Sequence, residues 1–382
     1  MLAPFGIRPK GTLLARMLPL AQALTGRGHQ VTIVAPAVHN PDDAGTRVLH
    51  GGVPVIHARQ PRLPGPAAAL DQSAALLRLA LAERPVVLHL FKPKGYAGLA
   101  TLAARGLRPH LPLVVDADDW EGPGGWNDLL PYPVSARQLF AWQERDLPRR
   151  AAAVTVASHT LESLVWAMGV PPARVFYLPN GAVPAAPAPP AAVTAQPALL
   201  LYTRFWELDL AELAAALAAI HQAHPTARLI VVGRGERGEE RALRAHAARA
   251  GFAAMLDERG WLTPEQIPSA MAEARIALVP ARDTLVNRAR CSAKLLEMMG
   301  AGLAVVASDV GEARSFVEHE RSGLLVRPGD PGALATATLR LLADPALRER
   351  LAAGARAAAG RFTWDTLAPI AERAYVAALH CR

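Results

Sequence analysis

The chain has 382 residues, of which 51% are hydrophobic and 19% charged, and its formal net charge is +8. That length exceeds one ordinary core and suits two α/β domains, while the composition excludes a disordered chain. No run of about 18 apolar residues occurs, so no membrane span is read, and Cys291 and Cys381 form no disulfide or metal pattern.

The opening MLAPFGIRPKG lacks a charged region followed by an apolar one, which leads us to expect a cytoplasmic protein. MLAPF also leaves only about four residues before the Gly6 loop, where a mean strand has five or six. Either further apolar residues precede Met1 or the first strand is frayed. LLARMLPLAQALTGRG then has helical spacing, and HQVTIVAP reads as a buried strand. PVVLHLF, LPLVVDAD, AAAVTVAS and RVFYLPN are further short apolar strands, with DQSAALLRLALAER and YAGLATLAARG as helices between them. Such alternation predicts a parallel, doubly wound sheet. AVPAAPAPPAAVTAQPA is uncharged and rich in Pro and Ala, as linkers are. Strand–helix alternation restarts at ALLLYTR and continues through ARLIVVGRG, ARIALVPA and LAVVAS, and the chain ends in helices. The predicted fold class is α/β, with two Rossmann-like parallel-sheet domains facing across a cleft. The expected domains are residues 1–182, a linker at 183–198, a second domain at 199–360 and a last helix at 361–382.

Ligands of open parallel sheets sit at the carboxyl ends of the strands. There the chain places Gly6, Lys10, Gly11 and Thr12, then Lys92 and Lys94 of KPKG, then Asp116, Asp118 and Asp119 of DADD. The second half contributes Arg204, the glycines of GRGERGE, the loop RDTLVNRARCSAK and SDVGEAR. Of 41 basic residues only Lys10, Lys92, Lys94 and Lys294 are lysine, and all four fall on these ends. A compact ammonium suits a phosphate, so the first three are read as acceptor or phosphate contacts. The net charge also admits an anionic membrane surface; no basic–aromatic interleaving supports nucleic acid.

NRARCSAKLLEMMGAG enters a helix near Ser292 and leaves it at Gly300 and Gly302. Free amides of a first helical turn attract an anion. Lys294 adds charge there, and Glu297, three residues on, shares its face and could take both hydroxyls of a ribose. A plain surface Lys–Glu pair has the same spacing, so both readings stay open. Cys291, among Arg288, Arg290 and Lys294, is either a reactive thiol with a lowered pKa or a small buried residue. G-x-G-x-x-G matches from Gly233 to Gly238, a weak signal when alone. D-x-D in DADD would suit a hard cation, but the two complete sheets are not the smaller fold that uses it, and no metal is expected.

Taken in order, KGTLLARMLPLAQALTGRGHQVTIVAP, LPNGA, TR, LIVVGRGE, KLLEMMGAGLAVVASDVGE, SGLLVRPGD and FTW resemble the retaining, nucleotide-sugar-dependent glycosyltransferases of family four, which have the GT-B fold. The resemblance spans nearly the whole chain. It implies transfer of a sugar from a nucleoside diphosphate to a sugar, lipid or small-molecule acceptor, with no cofactor beyond the nucleotide sugar; peripheral contact with an anionic membrane surface is expected from the net charge alone. By position, Glu297 matches a ribose-binding glutamate and Arg204 an arginine facing the diphosphate. Gly11 and Thr12 match a loop that reaches the phosphates, while Asp118 and Asp119 line donor sugar and acceptor. Gly233, Gly235 and Trp261 fall where the base is held. Arg290, Cys291 and Ser292 lie in the donor loop, and Trp364 opens a helix that crosses back to the first domain in such proteins. Catalysis is assigned to Lys294, Arg204, Asp118 and Asp119. Two family residues are missing. Ala289 stands where the first of two glutamates belongs, and Glu207 and Asp209 of RFWELDL stand near the place of a lysine. A sugar-nucleotide epimerase and a non-catalytic nucleotide-sugar-binding subunit remain the rival readings.

Overall fold

The structure, a computed structural model, describes residues 1–7, 11–38, 40–182 and 198–381. Lys10 and residues 183–197 of the expected linker lie outside that set. The chain divides into two compact units. The first comprises Met1–Gly181, Ala289–Cys291 and Trp364–Arg382, and the second Ala182–Arg288 and Ser292–Thr363.

In the first unit, β1 (Ile33–Ala35), β2 (Arg47–His50) and β3 (Val53–His57) form one sheet in the order β1-β3-β2. A second, wholly parallel sheet is formed by β4 (Leu88–Phe91), β5 (Leu113–Ala117), β6 (Ala153–Val156) and β7 (Val175–Tyr177), in sequence order. Two features depart from the sequence reading. The expected first strand is reduced to Leu2, which bridges Val34 on one side and Leu90 on the other. The unit is also not wholly parallel, because β2 pairs antiparallel with β3. That hairpin turns at Gly51 and Gly52, whose φ values of +57° and +85° suit a two-residue turn that favours Gly-Gly.

Helices Pro66–Ala82, Gly95–Leu107 and Val134–Arg150 accompany these strands. A π-helical turn, Leu13–Met17, runs into helix Leu18–Gly26 and directs Leu13, Met17, Leu20 and Leu24 into the core. The C-terminal helix Trp364–His380 buries Trp364, Leu367, Ala368 and Ala371 in that same cluster.

The second unit is a six-stranded, all-parallel sheet in the order β10-β9-β8-β11-β12-β13. Its strands are β8 (Ala198–Tyr202), β9 (Arg228–Val232), β10 (Leu256–Gly260), β11 (Ala274–Val279), β12 (Ala304–Ser308) and β13 (Leu324–Val326). Ala198, the last residue of the expected linker, already belongs to β8. Leu199, Leu201, Leu217, Leu229, Val231 and Ile276 centre a core with no exposure above 1%. Strand order changes direction between β8 and β11, so loops leaving the carboxyl ends of β8 and β11 flank a topological switch point.

Candidate functional site

Each unit carries polar residues at the carboxyl ends of its strands. In the first, Asp116 at the end of β5 is gripped by Arg16, with Nε–Oδ1 and Nη2–Oδ2 both 2.7 Å. Thr155 donates to the same carboxylate at 2.6 Å, and Arg16 donates to Asn180 Oδ1 and the Leu178 carbonyl. This buried pair ties the π-helical turn to three strand ends.

Lys92 follows β4 with φ +53° and is buried. Its Nζ lies 2.7 Å from Asp119, 3.3 Å from Glu121 and 3.7 Å from Asp118. Burial alone would lower its pKa, but the three carboxylates outweigh that and hold it well above the ordinary value. Lys94 is buried as well. It pairs with Glu121 at 2.7 Å, and its ammonium sits 4.6 Å from the Tyr132 ring and 5.0 Å from the Phe140 ring. Burial pulls this ammonium below its usual pKa. Glu144, buried beside them, is raised by burial and then by the charge of Glu121.

Asp118 accepts from Thr12 Oγ1 at 2.8 Å through Oδ2. Its Oδ1 is buried and has no hydrogen-bond partner among the described residues. Burial pushes the carboxyl up to about 6, against the pull of Lys92. Gly11 is exposed in the preceding bend, and its carbonyl accepts from Ala15 N–H.

In the second unit, Ser292 caps helix Ala293–Gly300 by accepting from Leu295 N–H at 3.3 Å. The Lys294 ammonium sits 4.7 Å from the centroid of Tyr202, the last residue of β8. The Tyr202 hydroxyl is raised above its usual pKa by burial and then by the charge of Glu297. The Lys294 ammonium therefore packs on Tyr202 at a strand end, and the charge of Glu297 is near enough to act on the same hydroxyl.

The loop after β8 is fixed to the loop after β11. Asn287 Nδ2 donates to the Glu207 and Arg282 carbonyls at 2.7 and 2.9 Å, and Arg282 N–H also donates to the Glu207 carbonyl. Glu207 is buried and takes the Arg204 N–H, while Asp209 caps helix Leu210–Ala223. The two acidic residues near the family's lysine position thus serve the loop and a helix cap. The Arg204 guanidinium pairs with Glu236 at 2.7 Å and stays partly exposed. Gly233 has φ +118°, and a Cβ there would lie 1.8 Å from the Thr203 carbonyl oxygen, so this approach of the β8 and β9 ends requires glycine. Its N–H is taken by Gly260 O, and that of Gly235 by Glu240. Trp261, after β10, is 49% exposed.

Arg290 and Cys291 group with the first unit. Cys291 is buried, and the Asn180 N–H donates to its Sγ at 3.1 Å, which favours the second of its two readings, the small buried residue. Arg288 pairs with Asp283 at 2.7 Å. Sequence reasoning missed Tyr202, Glu121, Glu144 and Asn287. Only tertiary packing reveals their burial beside the candidate residues.

A family model described as a glycosyl transferase 4-like domain matches residues 11–181, and one for glycosyl transferases group 1 matches residues 196–344. A phosphatidyl-myo-inositol mannosyltransferase of Mycobacterium leprae (strain TN) is 26% identical over 388 residues, which cover 98% of this chain and 95% of that one. Among solved structures, sucrose-phosphate synthase from Thermosynechococcus elongatus matches with a TM-score of 0.74 at 21% identity, over 96% of this chain and 93% of its own. HepE of Anabaena, in complex with UDP and glucose, matches with a TM-score of 0.74 at 20% identity, over 97% of each chain. At those identities the structural likenesses bear on the fold alone, which is that of GT-B glycosyltransferases. With both family models matched in order along its length, the chain belongs to the group 1 glycosyltransferases and is built as two parallel-sheet α/β domains of the GT-B kind.

Proposed function

We propose that the chain transfers a sugar, with retention of configuration at the anomeric carbon, from a nucleoside diphosphate to a hydroxyl of an acceptor sugar, lipid or small molecule. The observation that carries this reading is the seat of the Lys294 ammonium over Tyr202 at the carboxyl end of β8, with the charge of Glu297 acting on the same hydroxyl. The first-turn amides of helix Ala293–Gly300 and the Lys294 ammonium would receive the diphosphate. Glu297 would take the ribose hydroxyls, and the loops at Gly233, Gly235 and Trp261 the base. Arg204 would exchange Glu236 for phosphate oxygen. In the reaction the bond from the anomeric carbon to phosphate oxygen breaks, the acceptor oxygen bonds to that carbon, and the acceptor proton passes to the departing phosphate oxygen. Charge grows on the diphosphate, and its stabilisation by Lys294 and the helix amides is the main catalytic term. Asp118 Oδ1, with no hydrogen bond among the described residues, would accept from the acceptor hydroxyl, with Asp119 beside it.

The mannosyltransferase name of the mycobacterial relative and the UDP and glucose bound to HepE support a nucleotide-sugar donor. The phosphatidyl-myo-inositol in the relative's name supports a lipid acceptor reached by peripheral contact with a membrane. No helix among the described residues is long and apolar enough to cross one. A non-catalytic nucleotide-sugar-binding subunit is the second reading, favoured by the Arg204–Glu236 pair and by Ala289 at the position of a family glutamate.

A thermal-shift panel of UDP, GDP and ADP sugars identifies the donor, since a ligand at 100 times its Kd adds about 2.7 kcal/mol. With that donor, diphosphate release should rise with acceptor, and the product's anomeric configuration should match the donor's. Inversion would defeat the retaining reading. An altered sugar nucleotide made without acceptor would indicate epimerisation, and binding without turnover would indicate the subunit.

A further inference from the structure

Three carboxylates share one buried ammonium in the first unit, and the residues that settle the sharing lie further from the strand ends. Lys92 is held at φ +53°, a conformation costly to any side chain, so tertiary packing imposes its direction. Its Nζ is 2.7 Å from Asp119 Oδ2, 3.3 Å from Glu121 Oε1 and 3.7 Å from Asp118 Oδ1. The other oxygen of Glu121 takes Lys94 Nζ at 2.7 Å. Glu121 thus bridges two ammoniums and sits closer to Lys94, which leaves Lys92 closer to Asp119. Both partners of the Glu121–Lys94 pair are fixed from behind. Asn127 Nδ2 donates to the Glu121 carbonyl. The Lys94 ammonium lies over Tyr132 and Phe140, whose rings meet edge to face with centroids 5.2 Å apart. Gln143 holds the backbone beyond Lys94, accepting from Gly95 N–H at 2.7 Å and donating to Gly95 O at 3.1 Å.

We propose that Lys94 and Glu121 are positioning residues for the transfer: through the shared Lys92 ammonium they set how much positive charge reaches Asp118, an assignment that rests on the reading of Asp118 Oδ1 as the partner of the acceptor hydroxyl. Lys94 occupies Glu121 and so frees Lys92 for the two aspartates. Without the Lys94 charge, Glu121 draws Lys92 toward itself. Without the Glu121 charge, Lys92 is released toward Asp119 and Asp118. The two losses break the same ion pair yet act on Asp118 in opposite senses, which a pair that merely filled the core would not do. At an effective dielectric constant of about 20, an ammonium that retreats by about 1 Å from about 4 Å moves a carboxylate's titration by roughly half a pH unit to one unit. Besides Lys92, the charges that face Asp118 are Asp119, Asp116 and Arg16, and Asp116 is already gripped by Arg16. Glu144 faces the same group, but burial and then the Glu121 charge push it toward its neutral form.

Carbon-13 NMR of aspartate carboxyls in the chain without substrates, with Asp118→Asn assigning the signal, follows the Asp118 titration, which lies near pH 6 in the parent. Lys94→Met should raise it by roughly half a unit to one unit, and Glu121→Gln should lower it by a similar amount. Tyr132→Leu removes no charge, so any effect it has on Asp118 passes through Lys94. It should shift the titration upward, as Lys94→Met does, whereas Tyr132→Phe keeps the ring and should not. Shifts of one sign from Lys94→Met and Glu121→Gln, or none from either, overturn the proposal, and so does a Tyr132→Leu variant that titrates as the parent does. Should Lys94→Met fail to fold, Glu121→Gln and Tyr132→Leu must still move Asp118 in opposite directions. With donor and acceptor present, the acid limb of kcat/KM should follow the titration in each variant. A limb that stays in place while the titration moves would refute the role of Asp118 in transfer instead, with the setting of its charge by Lys94 and Glu121 upheld.

Discussion

Asp118→Asn separates what the first unit's carboxylates contribute to function from what they cost in stability. The Asp118 carboxyl is buried and rises from 3.8 to about 6. A folded-state value above the unfolded one means that the native state binds the extra proton between about pH 4 and pH 6, so stability falls as pH rises through that window. The size of the rise corresponds to about 3 kcal/mol lost above pH 7. Asparagine keeps an oxygen that can accept from Thr12 but has no charge to desolvate, and Lys92 retains Asp119 and Glu121. Thermal unfolding followed by circular dichroism from pH 4.5 to pH 8 gives the difference between parent and variant. It should already be about a third of its full size at pH 4.5 and grow to roughly 5–10 °C in favour of the variant at pH 7.5. Turnover by the variant should fall, because a carboxylate held ionised at a cost in stability marks a site shaped for chemistry. A difference that stays constant across pH, or a variant less stable at pH 7.5, would show that the Asp118 carboxylate carries no such cost.

Lys92→Met should act in the opposite direction. It leaves Asp118, Asp119 and Glu121 without their shared cation and should cost about 3–5 kcal/mol, read as a drop in the denaturant midpoint. Gly233→Ala meets both a positive φ and the Thr203 carbonyl, and should lower the melting temperature of the second unit's transition by roughly 5 °C or more. Cys291 should resist alkylation in the native protein and react once it is unfolded, with mass spectrometry as the readout.

The fold was legible wherever burial leaves a continuous apolar run. β4, β5, β6, β8, β9, β11 and β12 could be read because parallel strands covered on both faces carry little else. β10, LDERG, was not legible, since an edge strand with exposed residues carries the charges of a loop. The β2–β3 hairpin was overlooked although Gly51-Gly52 signalled it. Helix Val134–Arg150 was hidden because its core-facing residues include Gln143 and Glu144, whose burial no periodicity of apolar residues reveals.

In the candidate site, the scarce lysines of the described residues do fall at strand ends, but packing and not an open phosphate surface surrounds two of them. Lys92 and Lys94 are held by buried carboxylates and aromatic rings, where a compact ammonium fits and a planar fork would not. Neither is an open phosphate contact. Lys294 comes closest to the expected use, and its partner Tyr202 could not be found from spacing, because it lies on a strand 92 residues earlier in the chain.

Whether the Lys294–Glu297 face of helix Ala293–Gly300 is the donor site is decided by steady-state kinetics of Lys294→Ala beside Glu297→Gln with the identified donor. Lys294 acts where charge grows as the glycosidic bond breaks, so its loss should lower kcat about 10²- to 10³-fold with little change in KM. Glu297 meets hydroxyls whose charge does not change, so its loss should raise KM by the equivalent of about 1.5–3 kcal/mol and spare kcat. A near-normal kcat for Lys294→Ala would contradict the donor-site role and leave Lys294 as packing against Tyr202 alone.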